Sequence, residues 1–258
     1  MCCGPSGDSC NTPYLQEIYV DNAAATPVDP RVQKEVVRAL GIIGNPSSFN
    51  DAGRRAAREL AEARLTVARF LGARPDEIVF TASGSEANAM AIFGLASGSH
   101  GGHTEIITSP IEHPSVLAPV RSLLGGNYKA AFVTVDSEGI ADEADLEKKL
   151  NKRTLLVSVM YANNEIGTVE PIARIGKLIK TFRKEHHTPY PLFHTDACQA
   201  AEYLPMDANR LGVDLLTFNG SKLYGSRGVG VLYVRRGLSL RGRVLGGEQE
   251  HGLRAGTE

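Results

Sequence analysis

The sequence predicts an α/β protein with a mostly parallel β-sheet that is covered by helices on both faces. Short apolar segments alternate with longer segments in which apolar residues recur every three or four positions. This alternation favours a parallel sheet, because each helix returns the chain to the same edge. In such sheets ligands bind at the carboxyl ends of the strands, so the residues that follow each strand are the candidates for a site.

The predicted strands are short and apolar, and the predicted helices are amphipathic. The strands span residues 18–20, 77–81, 105–108, 131–135, 155–161, 191–195, 215–219 and 229–234. The helices span residues 30–40, 53–71, 85–95, 115–124, 142–150 and 172–185. No internal repeat or linker-like stretch interrupts residues 18–258. We therefore predict one large domain over this range, preceded by a flexible arm over residues 1–17.

Composition and charge exclude several classes of protein. Of the 258 residues, 42% are hydrophobic and 22% are charged, which is typical of a globular protein with a sizeable core. A formal net charge of -1 favours neither nucleic acid nor an anionic membrane as a partner. The longest apolar runs, such as residues 155–162, are too short to span a bilayer. The first residues contain no apolar segment of the kind that secretory signals carry.

The four cysteines predict reduced thiols. Cys2, Cys3 and Cys10 lie in the N-terminal arm, and Cys198 lies in the predicted domain. We expect a reducing cytoplasm as the compartment. The alternative, an arm that handles metal or sulfur, lacks the C-x-x-C spacing of metal sites, and we expect no metal. Cys198 is expected to pack as a small apolar residue.

Small residues lead from the strand at 77–81 directly into a helix. Gly84 and Ser85 stand where that helix begins. The first turn of a helix has unpaired N–H groups and favours an anion, so this segment is a candidate phosphate site. The alternative is an ordinary helix cap formed by a serine hydroxyl.

Polar side chains follow four further predicted strands. They are His113, Asn164, Asp196, Gln199 and Lys222. Each one has an ordinary interpretation by itself: a surface histidine, a turn asparagine or a solvated lysine. A carboxylate at a buried strand end, however, is costly unless a cation or a donor meets it.

Together these side chains match what pyridoxal phosphate (PLP) requires. Lys222 supplies an amine for the cofactor aldehyde, and Asp196 supplies a carboxylate that keeps the pyridine nitrogen protonated. Gln199 or Asn164 is suited to donate to the ring oxygen. His113 offers a flat surface against the ring. The helix start described above would accept the phosphate.

Eight stretches of the chain, in this order, resemble those of the cysteine desulfurase and selenocysteine lyase family, which are class V, fold-type-I PLP enzymes. They are YVDNAAATPVDP (from Tyr19), GNPSSFNDAGRRA (from Gly44), FTASGSEAN (from Phe80), IEHPSV (from Ile111), YANNEIGTVEPI (from Tyr161), HTDACQA (from His194), GSKLYGSRGVGVLYVRR (from Gly220) and GGEQEHGLRAGTE (from Gly246). The resemblance implies a fold-type-I large domain with a seven-stranded sheet, and PLP as its cofactor.

The resemblance also implies roles for these residues. Lys222 resembles the Schiff-base lysine, and Asp196 resembles the partner of the pyridine nitrogen. Gln199 resembles the donor to the ring oxygen. His113 resembles the histidine that stacks on the ring and moves protons. Asn164 resembles a residue that contacts both the substrate and the ring oxygen.

Further positions match the family at the edges of the site. Gly84 and Ser85 match the phosphate-binding turn, and Asn22 and Ala23 match the segment that lines the substrate pocket. Thr257 matches a residue that reaches the phosphate of the partner subunit. The resemblance therefore implies a homodimer with shared sites.

The chain departs from the family pattern at three single positions and in the phosphate-binding turn, which reads Ala82-Ser83-Gly84-Ser85 where the family commonly has Ser-Gly-x-Thr. Ser221 stands where the family usually has a histidine before the lysine, and Asn219 stands where it has a serine. Both side chains are still hydrogen-bonding groups near the phosphate, but neither carries the histidine charge. Asn50 stands where a histidine is frequent. We therefore expect weaker cofactor binding than is usual in the family.

The chain ends at Glu258, inside a motif that in this family leads into a small C-terminal domain. We therefore expect a C-terminally incomplete enzyme, because the family's catalytic cysteine and its substrate-binding arginine lie in that domain. The expected reaction converts L-cysteine to L-alanine and an enzyme persulfide, which passes sulfur to an acceptor protein for iron–sulfur cluster or thio-cofactor synthesis. The alternatives are a selenocysteine lyase, another class V transaminase, or a non-catalytic scaffold. A dinucleotide-binding protein is excluded, because no G-x-G-x-x-G follows the first strand.

Overall fold

The computed structural model describes residues 18–98 and 100–258. The predicted N-terminal arm, with Cys2, Cys3 and Cys10, lies outside these residues. Within them the chain forms one sheet of seven strands, as the resemblance implied. The strands are β1 (Ile78–Thr81), β2 (Glu105–Thr108), β3 (Lys129–Phe132), β4 (Thr154–Ser158), β5 (Leu192–Asp196), β6 (Leu215–Asn219) and β7 (Gly230–Val234).

The sheet has the strand order β1-β7-β6-β5-β4-β2-β3. The strands from β3 to β6 in this order pair in parallel, whereas β7 is antiparallel to both of its neighbours. Because β1 and β6 both oppose β7, β1 runs in the same direction as the parallel strands. The carboxyl ends of six strands therefore lie at one edge, and the prediction of a mostly parallel sheet is confirmed.

The helices lie close to their predicted positions. They are α1 (Pro30–Leu40), α2 (Asp51–Phe70), α3 (Gly84–Ala96), α4 (Pro114–Leu123), α5 (Glu143–Lys149), α6 (Ile172–Glu185) and the short α7 (Ala208–Leu211). The predicted bounds of α1 and α6 are reproduced residue for residue. Four residues are too few to produce a recognisable period, which is why α7 was not predicted.

The predicted strand at residues 18–20 is wrong. The chain there pairs with no strand, and the side chains of Ile18 and Val20 are exposed. The hydroxyl of Tyr19 instead donates to the backbone oxygens of Asp21 and Ala25, at 2.7 and 2.8 Å. These bonds close a turn that directs the following residues toward the sheet edge.

Two hydrophobic cores lie on opposite faces of the sheet. Helices α2, α5, α6 and α7 contribute to one core, together with the side chains of Phe193 and Leu216. Helices α3 and α4 contribute to the other core, together with the side chains of Leu192 and Leu215. This two-sided covering confirms the predicted arrangement of helices. No helix in the described part of the chain has the length and apolar character needed to cross a membrane.

A buried ion pair attaches the C-terminal segment to β1. Arg64 lies on α2, and its side chain is buried. Its guanidinium donates to both carboxylate oxygens of Glu250, at 2.7 and 2.8 Å, and to the backbone oxygen of Ile78 at 2.8 Å. Glu250 also accepts from the N–H of Phe80 at 2.7 Å. Each buried charge is therefore paired and hydrogen-bonded, which makes its burial tolerable.

Candidate active site

A cavity of about 370 Å³ opens at the sheet edge where β1, β2, β4, β5 and β6 end. Its lining consists of residues from the loops that follow these strands and from the N-terminal segment. They are Asp21, Ala23, Ala24, Gly84, Ser85, His113, Ser115, Met160, Ala162, Asn164, Asp196, Cys198, Gln199, Asn219 and Lys222. The strand ends thus converge on one volume, as expected for a parallel sheet.

Asp196 is the last residue of β5, and its carboxylate lies at the floor of this cavity. The side chain is buried, with 5% of its surface exposed. Oδ2 accepts from Nδ2 of Asn88 at 2.6 Å, and Oδ1 accepts from the backbone N–H of Cys198 at 3.0 Å. Two donors therefore fix the plane of the carboxylate.

His113 is the N-terminal cap of α4, and its ring lines the cavity wall. The backbone N–H of Ser115 donates to Nδ1 at 3.1 Å, and the Ser115 hydroxyl lies 2.7 Å from the same nitrogen. The Nε2 atom has no hydrogen-bond partner among the residues that the structure describes. The local sequence His-Pro-Ser produces this arrangement. Pro114 starts the helix and has no N–H that would need an acceptor, so the ring of His113 is left to accept from Ser115.

Lys222 ends a single turn of 3-10 helix that follows β6. Its ammonium group donates to the backbone oxygen of Ala23 and, at 2.6 Å, to that of Ala24. The side-chain amide of Gln199 donates to the same Ala23 oxygen at 2.8 Å. The N-terminal segment therefore closes the cavity on the side of the lysine, and Thr26 secures it by donating its N–H to the backbone oxygen of Ser221 at 2.9 Å.

The start of α3 forms the opposite end of the cavity. Ser83 is the cap residue, and its hydroxyl accepts from the N–H of Glu86 at 3.1 Å. The N–H groups of Gly84 and Ser85 have no acceptor among the described residues, and they remain for an anion. A Cβ at position 84 would lie 2.6 Å from Sγ of Cys198, so only glycine fits there without displacing the cysteine.

Nine of the predicted site residues line the cavity. They are Ala23, Gly84, Ser85, His113, Asn164, Asp196, Gln199, Asn219 and Lys222. Asn22, Ser221 and Thr257 are not among the lining residues. The hydroxyl of Ser221 instead donates to Oδ1 of Asn219, at 3.4 Å, and so lies behind it.

Cys198 also lines the cavity, but its thiol is expected to be unreactive. Burial is the main cause that raises the pKa of its thiol well above the ordinary value, and the neighbouring Asp196 carboxylate acts in the same direction. The thiol is therefore protonated at neutral pH and is a weak nucleophile. This agrees with its expected role as a small packing residue.

Three polar residues that contribute to the site were not predicted from the sequence. Asn88 and Ser115 contact the predicted site residues directly, as given above. Glu112 is buried, and its Oε1 accepts from the Ser109 hydroxyl and from the N–H of Met160, both at 2.7 Å. Burial raises the pKa of Glu112 to about 8, so its carboxyl is largely protonated at neutral pH. The IEHPSV stretch contains two of these residues, so their proximity to His113 was the available signal.

A row of uncharged polar side chains lies beneath the site. His194 is fully buried on β5, where Nδ1 lies 2.9 Å from the Ser158 hydroxyl and Nε2 lies 3.2 Å from the Thr217 hydroxyl. Burial lowers the pKa of His194 to about 4, so the ring is neutral at neutral pH. The carboxylate of Asp196 therefore has no cationic partner below it in the sheet, and it faces the cavity.

The side chains in the cavity fit PLP. The cavity joins an amine, a buried carboxylate held by two donors, an aromatic ring and a helix start with free N–H groups. These features correspond to the aldehyde, the pyridine nitrogen, the ring face and the phosphate of the cofactor. The buried carboxylate is the decisive group, since its cost of burial is offset by a cationic partner such as a protonated pyridine.

Comparisons with known proteins agree with this geometry. The family model described as "Aminotransferase class-V" matches residues 18–252. Cysteine desulfurase IscS of Dictyoglomus turgidum is 42% identical over 94% of this chain and 60% of its own length. The putative cysteine desulfurase IscS 1 of Bacillus subtilis is 41% identical over 95% of this chain and 63% of its own length. The human cysteine desulfurase is 40% identical over 95% of this chain and 53% of its own length.

Solved structures give the same result. A NifS-like protein superposes with a TM-score of 0.87 at 38% identity, over 92% of this chain and 64% of that protein. SspA in complex with cysteine superposes with a TM-score of 0.86 at 36% identity, over 93% of this chain and 68% of that protein. The chain spans 60% of the length of the first curated relative. It belongs to the class V aminotransferase family of PLP-dependent enzymes.

Proposed function

We propose that this chain carries the PLP site of a cysteine desulfurase, which removes sulfur from L-cysteine and leaves L-alanine. The observation that carries the proposal is the opening of Lys222 and Asp196 into one cavity that ends at the free N–H groups of α3. The names of the similar proteins support the choice of reaction within the family.

Two residues would hold the reactive part of the cofactor. The amine of Lys222 would bind its aldehyde carbon and, once released by a substrate amine, would move a proton at the substrate α carbon. Asp196 would keep the pyridine nitrogen protonated. When bound, PLP supplies a sink for the electron pair that is released at that carbon.

The remaining cavity residues would orient the cofactor and the substrate. His113 would lie against the ring and exchange a proton through Nε2, because Ser115 occupies its other ring nitrogen. Gln199 and Asn164 would donate to the ring oxygen, and Gly84 and Ser85 would bind the phosphate. Asn219, at the end of β6, and Ser221, in the turn that follows, would support that phosphate.

The N-terminal segment that closes the cavity would contact the substrate. We assign Asn22, Ala23 and Asn164 to the L-cysteine pocket. The group that accepts sulfur as a persulfide is a cysteine thiolate, and Cys198 is a poor candidate because burial raises the pKa of its thiol. The persulfide sulfur would then pass to an acceptor protein for iron–sulfur cluster or thio-cofactor synthesis.

We further propose a homodimer in which Thr257 reaches the phosphate of the partner subunit. Thr257 does not line the cavity of its own chain, and exposed apolar side chains such as Ile18, Leu40 and Phe49 leave surface for a partner to cover. Sedimentation equilibrium tests this: twice the chain mass is expected, and a monomer at micromolar concentration contradicts the shared site.

We keep the cytoplasm as the proposed compartment, on the basis of the cysteines, and cell fractionation tests it.

Absorbance tests the cofactor assignment. With added PLP, the purified chain is expected to develop an absorbance band at about 420 nm. The band should be lost in Lys222→Ala and retained in Lys180→Ala, an exposed lysine on α6 that serves as the matched control. A band that persists in Lys222→Ala contradicts the assignment of Lys222.

Product analysis tests the reaction. The loaded protein is incubated with L-cysteine and an excess of a dithiol, whose thiolate would replace the sulfur-accepting cysteine and whose second thiol would reduce the resulting persulfide. Equal amounts of L-alanine and sulfide are expected. Formation of a keto acid instead of alanine contradicts the desulfurase reaction and supports a transaminase. Selenide release from selenocysteine without sulfide release from cysteine supports a selenocysteine lyase.

A further inference from the structure

Two side chains that were not among the predicted site residues link Asp196 to His113. Asn88 lies in the second turn of α3 and is fully buried, and Ser115 lies in the first turn of α4. Nδ2 of Asn88 is 2.6 Å from Oδ2 of Asp196 and 2.9 Å from the hydroxyl of Ser115. That hydroxyl is 2.7 Å from Nδ1 of His113. The four side chains form one continuous hydrogen-bonded chain, which we call the relay.

Chemistry fixes the direction of each hydrogen bond. The Asn88 amide has two hydrogens, and it gives one to Asp196 and one to Ser115. The reversed amide would place its oxygen against the carboxylate oxygen, which is repulsive. The backbone N–H of Ser115 donates to Nδ1 of His113, so this nitrogen is an acceptor. Because Nδ1 is an acceptor and lies 2.7 Å from the Ser115 hydroxyl, that hydroxyl donates to Nδ1 while it accepts a hydrogen from Asn88.

We propose that Asn88 and Ser115 are positioning residues that orient Asp196 and His113 together. Asn88 holds one carboxylate oxygen, and through Ser115 it keeps the His113 hydrogen on Nε2. The inference rests on the proposed function, which gives Asp196 and His113 their roles at the cofactor. Because one amide serves both groups, a change at Asn88 reaches His113 without any direct contact.

The surroundings of Asn88 support this role. It lies between the buried apolar residues Ala87, Met90 and Ala91 of α3, where an amide is costly. Its Oδ1 has no hydrogen-bond partner among the described residues, so only its two N–H bonds offset that cost. An aliphatic side chain of similar volume would suit the helix packing alone. The amide is therefore explained by the two groups to which it donates.

Nitrogen NMR of the histidine ring tests the relay without any cofactor. The protein is labelled with nitrogen-15 in its histidines, and the His113 resonances are assigned by comparison with His113→Gln. The spectra are recorded at about pH 8, above the ordinary range of histidine titration. The variants are Asn88→Leu, Ser115→Ala, Ser115→Thr and the double variant of the first two. Ser122→Ala is the control, since its hydroxyl lies on the same helix and bonds only to the backbone oxygen of Pro119.

The relay predicts a protonated Nε2 and an unprotonated Nδ1 in the wild type. Asn88→Leu should move the Nδ1 resonance in the same direction as Ser115→Ala, and the double variant should move it no further. Ser115→Thr keeps the hydroxyl and should keep the wild-type spectrum, as should Ser122→Ala. PLP should bind roughly tenfold more weakly to Asn88→Leu, a change of about 1.4 kcal/mol, and less than about threefold more weakly to Ser115→Ala.

Two results would overturn the relay. One is a wild-type His113 with its hydrogen on Nδ1. The other is an unchanged His113 spectrum in folded Asn88→Leu. If Asn88→Leu does not fold, a Ser115→Thr spectrum that matches Ser115→Ala contradicts the relay. Failure of the wild type to form the band with PLP contradicts the proposed function alone, because the NMR readout does not depend on the cofactor.

Discussion

The two faces of the sheet use alternate residues of the same strands for different purposes. On one face Ile107, Val157, Phe193, Leu216 and Val231 form an apolar layer. On the other face the apolar side chains of the central strands come first along each strand, as Ile106, Leu156, Leu192 and Leu215.

Two residues further along β2, β4, β5 and β6, this second face becomes polar. The polar row there consists of Thr108, Ser158 and His194, which pair with one another across neighbouring strands, and of Thr217, which pairs with Asp196. All four are fully buried. Two residues further still, β5 and β6 end in Asp196 and Asn219 at the cavity. Polarity thus rises along one face toward the site, while the other face carries the main hydrophobic packing. Alternate residues of the same strands therefore serve different purposes: those on one face form the main hydrophobic core, and those on the other face lead to the site.

The largest effect on stability is expected on the apolar face. Phe193 is fully buried at the centre of that face. Phe193→Ala should lower the free energy of unfolding by about 3–5 kcal/mol, measured by urea denaturation, because it leaves a cavity. At saturating cofactor the absorbance band at about 420 nm should persist, since the Phe193 ring points away from the site. A fall in the free energy of unfolding of less than about 1 kcal/mol would contradict the assignment of Phe193 to the core. The control is Tyr203→Ala, which changes an exposed side chain and should cost less than about 0.5 kcal/mol.

A smaller effect, with a defined pH dependence, is expected at Glu112. Burial raises its pKa to about 8 in the folded protein, with the Asp196 and Glu170 carboxylates acting in the same direction. The folded state therefore holds a proton that the unfolded state has lost, and stability falls as pH rises from about 5 toward 8. Glu112→Gln should remove this slope.

The measurement is the difference in unfolding free energy between wild type and Glu112→Gln as a function of pH. The variant should gain about 3 kcal/mol relative to the wild type between about pH 5 and pH 7.5. Other groups cancel in this difference, including His194, which titrates in the opposite sense because its folded pKa is lowered to about 4. A difference that is independent of pH would show that Glu112 is ionised in the folded protein.

The smallest effect is expected in the polar row. Ser158→Ala leaves Nδ1 of His194 without its 2.9 Å partner. The free energy of unfolding should fall by about 1–2 kcal/mol, because a buried polar group loses its hydrogen bond. Exposed Ser137, changed to Ala, is the matched control and should change stability by less than about 0.5 kcal/mol. Equal effects of the two changes would contradict a structural role for the row.

Much of this fold could be predicted because its signals are local. Residues 30–40 and 172–185 show their helical period over ten residues or more, and the strands stand out as short apolar runs. The failure at 18–20 is also instructive. Three apolar residues have no period, and whether they join a sheet depends on a partner that the sequence does not specify.

The candidate site could be predicted only as far as strand ends reveal it. Asp196 and Lys222 follow apolar strands directly, so parallel topology brings them together. Asn88 sits inside a helix among small apolar residues, and its partner Asp196 lies 108 residues away in the chain. Ser221 shows the converse case, since it stands beside Lys222 in sequence while its hydroxyl is directed to Asn219. Side-chain direction in a turn is not set by sequence spacing.

The central claim is that Lys222 is the residue to which PLP attaches. Incubation of the full chain with PLP, borohydride reduction and peptide mass spectrometry locate the attachment directly. The account predicts one modified peptide, which contains Lys222 and is lost in Lys222→Ala. Modification confined to exposed lysines such as Lys180, with the Lys222 peptide unmodified, would contradict it.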